Sequence, residues 1–323
     1  MSLNWQRRWM PLLIPLALLL AWLALALLPH LAEGVPLGDY AHSGVLIQAE
    51  ELKDLLDKPD PNLRIIDFRH KAKYYLGHIP GAVQVWRSET EDRRQPMPGF
   101  PASAHQLEKL LGRLGVDSHA KVVIYSDQCD HTRLWWILAH YGFPLEQMRL
   151  LDGGIEAWKA KGYPTQLTAP HVKPATFRFP AESPKNYLLA NLEAVKKARG
   201  APDQVILDVR ASRLYLGEGT QEGAPRAGRI PGAVGICWKE NRVATGPQKG
   251  CWKGAAELKE IYAARGITPD KDIYIYGHTD LTASYTLVSL YLAGYPLEKL
   301  HVYGGSWIDW SRSKEPVETG PAR

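Results

Sequence analysis

The sequence predicts an α/β protein of two tandem domains, each a parallel sheet flanked by helices, behind one N-terminal transmembrane or signal helix. Three observations carry this expectation: strands and helices alternate along the chain, the same series of motifs occurs twice, and an unbroken apolar run precedes both copies. The repeat is read from paired residues. Gly81 and Gly232, Tyr125 and Tyr276, and Gly153 and Gly304 each stand 151 apart (276 − 125), whereas Asp67 and Asp208 stand 141 apart (208 − 67). The second copy therefore carries a ten-residue insertion around GEGTQEGAPRAG.

The run Met10 to Pro29, MPLLIPLALLLAWLALALLP, has membrane-spanning length and comes after Arg7 and Arg8, which the positive-inside tendency keeps in the cytoplasm. An uncleaved anchor is one reading. A cleaved signal peptide, with Ala24 and Ala26 in an A-x-A arrangement, is the other. Both export the remainder of the chain, either as domains held at the cell membrane facing the periplasm or exterior, or as a secreted periplasmic protein. Residues 1–44 are thus the anchor or signal plus a Gly/Pro tether from Gly34 to Gly44.

The first domain is expected over 45–165. LIQAEELKDLLD gives a short strand and a helix starting at Gln48 or Ala49, and LRIIDFR is an apolar run with the look of a buried parallel strand. KAKYYLGHIPGAVQV turns from helix to strand through Gly77 to Gly81, and a polar loop runs on to Pro101. The helix AHQLEKLLGRLGV, the strand KVVIYS, the loop holding Cys129, the helix LWWILAHYGF and the unit MRLLDGGIEAWKAKGYP complete it. Residues 166–184, rich in Pro and without helical period, read as a linker. Over 185–323 the order recurs in NLEAVKKARG, VILDVR, GRIPGAVGI, AELKEIYAARGI, DIYIYG and LHVYGGSWIDW.

With 323 residues, 45% hydrophobic and 23% charged, the chain can build two ordinary cores. The net charge of +5 is spread along it, and the basic pairs Arg93–Arg94 and Lys196–Lys197 have acidic neighbours, which argues against a nucleic-acid partner. There is no phosphate-binding Gly-rich motif, no C-x-x-C and no metal-ligand spacing, so no cofactor or metal is implied. The stretch YIYGHTDLTASYT, Tyr274 to Thr286, is a strand, a polar turn and a helix start with Thr282 as the expected N-cap. Such a turn gathers amide N–H groups that can hold an anion.

DFR, GHIPGA and DGGIEAW in the first copy, and DVR, RLYLGE, GRIPGA and YGGSWIDW with PVETG in the second, resemble the rhodanese (thiosulfate sulfurtransferase) superfamily in its tandem form over residues 45 to 320. The resemblance implies a cysteine directly after the strand tyrosine, whose thiolate is stabilised by loop amides. It takes the outer sulfur of a small anion such as thiosulfate, holds it as a persulfide and passes it to an acceptor. This sequence departs at that position. Gly277 comes after Tyr276 in the second copy and Ser126 after Tyr125 in the first.

Several residues are expected to stand in. Cys129 lies three residues beyond Ser126, with His131 and Arg133 near enough in sequence to favour a thiolate. Arg133, Arg210, His278, Thr279, Asp280 and Thr282 form the expected substrate-facing set, with His278 and Asp280 as an acid–base pair. Arg210 has the alternative of a simple ion pair with Asp208. Cys237 and Cys251 bracket a surface segment, and export favours a disulfide closing a ring of 15 residues (251 − 237 + 1), contributing about 3 kcal/mol. A redox pair, or a thiol reaching into the vacated pocket, are the other readings. Two functions are compatible with these residues. One is an exported sulfurtransferase or sulfur carrier working through Cys129, with a protein sulfur acceptor. The other is a catalytically silent rhodanese-like module that binds a small anion or a protein or membrane partner at the membrane surface.

Overall fold

A computed structural model describes residues 39–321 apart from 59, 93, 96–98 and 181–184. The apolar run 10–29, and with it the expected anchor or signal, lies outside the described residues. Among those described, no helix is long and apolar enough to cross a membrane.

The apolar runs fold as read. In the first domain β1 (Leu46–Ile47), β2 (Leu63–Asp67), β3 (Ala82–Gln84), β4 (Lys121–Tyr125) and β5 (Met148–Leu151) form one sheet in the order β1-β5-β4-β2-β3. The second repeats it with β6 (Leu189–Ala190), β7 (Gln204–Asp208), β8 (Val234–Gly235), β9 (Asp272–Tyr276) and β10 (Leu300–Tyr303), in the order β6-β10-β9-β7-β8. Every pairing between these strands is parallel. All strands of a sheet therefore end on the same edge, and the loops after β4 and β9 lie there.

The repeated motifs fix that edge through buried polar contacts. Tyr276 donates its hydroxyl to Asp208 Oδ2 (2.7 Å) and accepts from the Ile230 amide of GRIPGA (3.1 Å), and Tyr125 does the same with Asp67 and Ile79 at 2.7 and 3.0 Å. Arg210 and Arg69 close each network with a paired aspartate and donate to the carbonyls of Gly228 and Gly77. One hydrogen-bonded set thus joins the ends of three motifs, so the strand, the turn and the arginine hold each other in place. This is the ion-pair alternative for Arg210, which is 5% exposed and also packed over Trp307.

The domains meet through two buried helices, His131–His140 and Asp280–Leu292. Thr132 Oγ1 and Ser284 Oγ touch between them at 3.0 Å. On each side the segment after the short strand of one domain reaches to the loop of the other. Gly99 and Phe100 of the first domain lie against Thr279, Asp280 and Gly304, and Cys251 of the second lies against Gly153. Of the tether expected from Gly34 to Gly44, the described residues 39–44 pack against the second domain. Tyr40 is buried and donates to the carbonyls of Trp252 and Lys253, and His42 stacks on Tyr291 at 3.8 Å. The described part of the 166–184 linker is extended and packed on the first domain, with Phe177 stacked on Phe143 and Gln166 paired to His78.

Candidate functional site

The loop after β9 keeps the expected frame, but its centre is filled. A Cβ on residue 277 would lie 2.3 Å from Thr282 Oγ1 and 2.7 Å from the Thr279 carbonyl oxygen, distances no real Cβ tolerates. Glycine is therefore required here by space, and the Thr282 hydroxyl stands where a side chain at 277 would stand. The Gly277 amide donates to Ser306 Oγ (3.4 Å) and its carbonyl accepts from the Trp307 amide (3.0 Å), so the backbone is tied down on both sides. The helix begins at Asp280 with Thr279 in the N-cap place and no side-chain cap bond, a correction to the N-cap expected at Thr282. Thr282 points inward instead.

In front of this closed loop is an open cavity of about 540 Å³ lined by Arg87, Gln221, Glu222, Gly223, His278, Thr279, Leu281, Thr282 and Ile308. Three of the expected binding residues, His278, Thr279 and Thr282, are thus brought together. His278 Nε2 lies 2.8 Å from the Glu222 carbonyl oxygen, which can only accept, so Nε2 carries a proton. Burial lowers the imidazole pKa, and the ring is neutral near pH 7. Sequence reasoning missed Arg87, which comes from the first domain, and residues 221–223 of the insertion. Arg226, in the same insertion, donates to the carbonyls of Ser311, Glu315, Trp310 and Ser313, which pins it over the last helix.

Arg133 and Asp280 do not face the cavity. They form an ion pair between the domains, Nε to both carboxylate oxygens at 2.9 Å, with 0% and 1% of their side chains exposed. Arg133 also donates to Thr90 Oγ1 and to the Gly99 carbonyl. Their expected roles in binding an anion and in acid–base chemistry give way to a structural one, because each nitrogen of the buried Arg133 guanidinium donates inside the protein.

The loop after β4 is also closed. Ser126 is fully buried, accepts from the Gln128 amide (3.2 Å) and lies 2.8 Å from His131 Nδ1. Cys129 is 5% exposed, and burial with the nearby Asp130 pushes its thiol well up. The neighbours expected to favour a thiolate are engaged elsewhere, Arg133 with Asp280 and His131, held neutral, with Ser126. The sulfur at 129 is a protonated thiol in this conformation. Cys237 and Cys251 are not joined, and all three cysteines are free thiols. The expected disulfide fails because Cys251 turns towards Gly153 and Asp152 of the first domain, while Cys237 caps the turn Trp238–Asn241.

His131 makes a measurable prediction. Burial first, and then the charge of Arg242, lower its pKa to about 3. Below the ordinary value of 6.5 the unfolded chain takes up a proton that the folded ring refuses. Stability present above pH ~6.5 is therefore lost as pH falls towards 3, by up to ~1.4 kcal/mol per pH unit for this one residue. His131→Asn should flatten the decline in urea unfolding measured from about pH 7 to about pH 5. An unchanged slope would place the protonation elsewhere.

A tandem pair of parallel α/β domains, each with a strand–loop–helix turn at the sheet edge after β4 or β9, defines the class of protein. The chain belongs to the rhodanese family: the family model described as a Rhodanese-like domain matches residues 48–161 and again 191–313. It is 35% identical to the sulfur carrier protein TtuD of Thermus thermophilus over 84% of this chain and 95% of that protein. It is 32% identical to a thiosulfate sulfurtransferase of Azotobacter vinelandii, over 87% and 99%. Among solved structures it is similar in fold to the anaerobic ergothioneine biosynthesis enzyme of Chlorobium limicola, with a TM-score of 0.75, 23% identity, and coverage of 88% of this chain and 72% of that one.

Proposed function

We propose that this chain is a rhodanese-family protein that binds a small sulfur-containing anion of the thiosulfate type in the cavity before the second loop, and does not take its sulfur covalently at that loop. Sulfurtransferase and sulfur-carrier relatives support a sulfur-containing ligand. The observation that carries the reading is the pairing of a closed centre at Gly277 with an open cavity beside it. Arg87, whose Nε pairs with Glu91 at 3.2 Å, supplies positive charge to an anion there, and Thr279, Thr282, Leu281 and Ile308 line the same cavity.

Calorimetric titration with thiosulfate should show saturable binding, weakened at least ~10-fold in Arg87→Gln because a charge-assisted contact is lost. The same sample should yield no thiocyanate when cyanide is added. Absence of binding would overturn the reading.

The second reading, a sulfur carrier loaded at Cys129, is favoured by the TtuD relative and by the placement of that thiol in the first loop. It requires the buried thiol to become accessible. We further place both domains outside the cytoplasm, held by residues 10–29, on the strength of that apolar run and of Arg7 and Arg8. Loss of the full-length chain from membranes on alkaline washing would remove the anchor.

A further inference from the structure

The two corners at which the domains meet are unequal. At one, Arg133 and Asp280 satisfy each other beneath Gly99. At the other, Tyr285 lies under the segment 242–252, 1% exposed, and its hydroxyl has no partner. His131, 2% exposed, has an unpartnered Nε2 beside it. Both rings touch Trp252, Tyr285 stacked at 4.6 Å and His131 edge-on at 5.7 Å. Helix neighbours bring them together, since Thr132 and Ser284, adjacent to them in sequence, are in contact.

The covering segment is a hairpin. Arg242 pairs with Trp252, and Val243 bonds to Cys251 and Gly250. Several contacts latch it to the rest of the chain: the Trp252 amide donates to Asp152 Oδ1 (3.0 Å) and its indole Nε1 to Ser289 Oγ (3.0 Å), Tyr40 donates to the carbonyls of Trp252 and Lys253, and Cys251 Sγ lies against Gly153. Its tip, residues 244–247, is exposed.

The unpartnered groups beneath are donors. Ser126 has no other acceptor for its hydroxyl proton, so it donates to His131 Nδ1, and the neutral ring carries its own proton on Nε2. Tyr285 O–H is a second donor. The Arg242 guanidinium stacks over Trp238 and has no carboxylate in ion-pair reach among the described residues. Buried donors left without acceptors cost free energy in the closed corner and favour its opening.

We propose that the hairpin 242–252 is a lid, and that the first-domain loop beneath it is a second site for a small inorganic anion, lined by the thiols of Cys129 and Cys251 and reached only when the lid lifts. The site is separate from the cavity at His278 and stands whether or not that cavity binds thiosulfate. Lifting the lid exposes the donors of His131 and Tyr285 to one ligand, with Arg242 at the base of the hairpin, and uncovers both thiols.

The three cysteines report this directly. Iodoacetamide is added to the folded full-length protein, and alkylation of each cysteine is followed by peptide mass. Cys237, partly exposed where the other two are buried, serves as the more accessible control. Cys251 and Cys129 should react more slowly than Cys237, but at least ~10-fold faster than global unfolding, timed by hydrogen exchange of the β4 and β9 amides. Tyr40→Phe, which removes one latch, should speed Cys251 about five- to tenfold. Millimolar sulfate, at ionic strength held constant with chloride, should raise the Cys251 rate saturably by favouring the open form, and Arg242→Gln should abolish that response. Labelling of Cys129 and Cys251 only at the global unfolding rate would overturn the lid. Opening that ignores sulfate, or a sulfate response kept in Arg242→Gln, would overturn the anion site.

Discussion

Arg133→Met should destabilise the protein by about 3–5 kcal/mol, the cost of leaving a buried carboxylate without its partner. Asp280 is fully enclosed, and burial already pushes its carboxyl pKa up against the opposing pull of Arg133. Removing the guanidinium also leaves Thr90 Oγ1 and the Gly99 carbonyl without a donor. Against a typical total stability of ~5–15 kcal/mol, that is enough to lower the unfolding midpoint in urea sharply. The double variant Arg133→Met with Asp280→Leu should recover most of the loss, because no charge then remains buried. A single-variant loss under ~1 kcal/mol would mean the pair behaves as an exposed one.

Gly277→Cys should not create a sulfurtransferase. The new Cβ would meet Thr282 Oγ1 at 2.3 Å and a backbone carbonyl at 2.7 Å, so the loop must deform to admit it. A loss of about 1–3 kcal/mol is expected from this overpacking, with thiocyanate production from thiosulfate and cyanide staying at background. Adding Thr282→Ala removes the closer contact and should restore part of the stability, while the contact with the Thr279 carbonyl remains. Full turnover by the single variant would show that the frame still fits a nucleophile and lacks only its sulfur.

Much of the fold was legible because the signals are local. The buried aliphatic runs became parallel strands, the paired glycines and tyrosines marked the repeat, and the presence of Ser126 after Tyr125 and Gly277 after Tyr276 was plain in the letters. What the sequence hid depends on which side chain turns which way. Thr282 has the spacing of a cap but fills the loop, and Cys251 has the spacing of a disulfide partner but packs on the opposite domain. Cys129 looked activated because His131 and Arg133 are close in sequence, yet one is held neutral with Ser126 and the other spends its charge on Asp280. Arg87 enters the cavity from the first domain only through the packing of the two domains, which no motif encodes.

Persulfide mapping after thiosulfate loading tests the central claim most directly. The protein is incubated with thiosulfate at a concentration that calorimetry shows to be saturating, desalted, and measured by intact and peptide mass for the addition of a sulfur atom. Bound thiosulfate that leaves Cys129, Cys237 and Cys251 at their unmodified masses is the predicted result. A persulfide on Cys129, discharged by cyanide as thiocyanate and absent from Cys129→Ser, would contradict the account and make the chain a sulfur carrier in its own right.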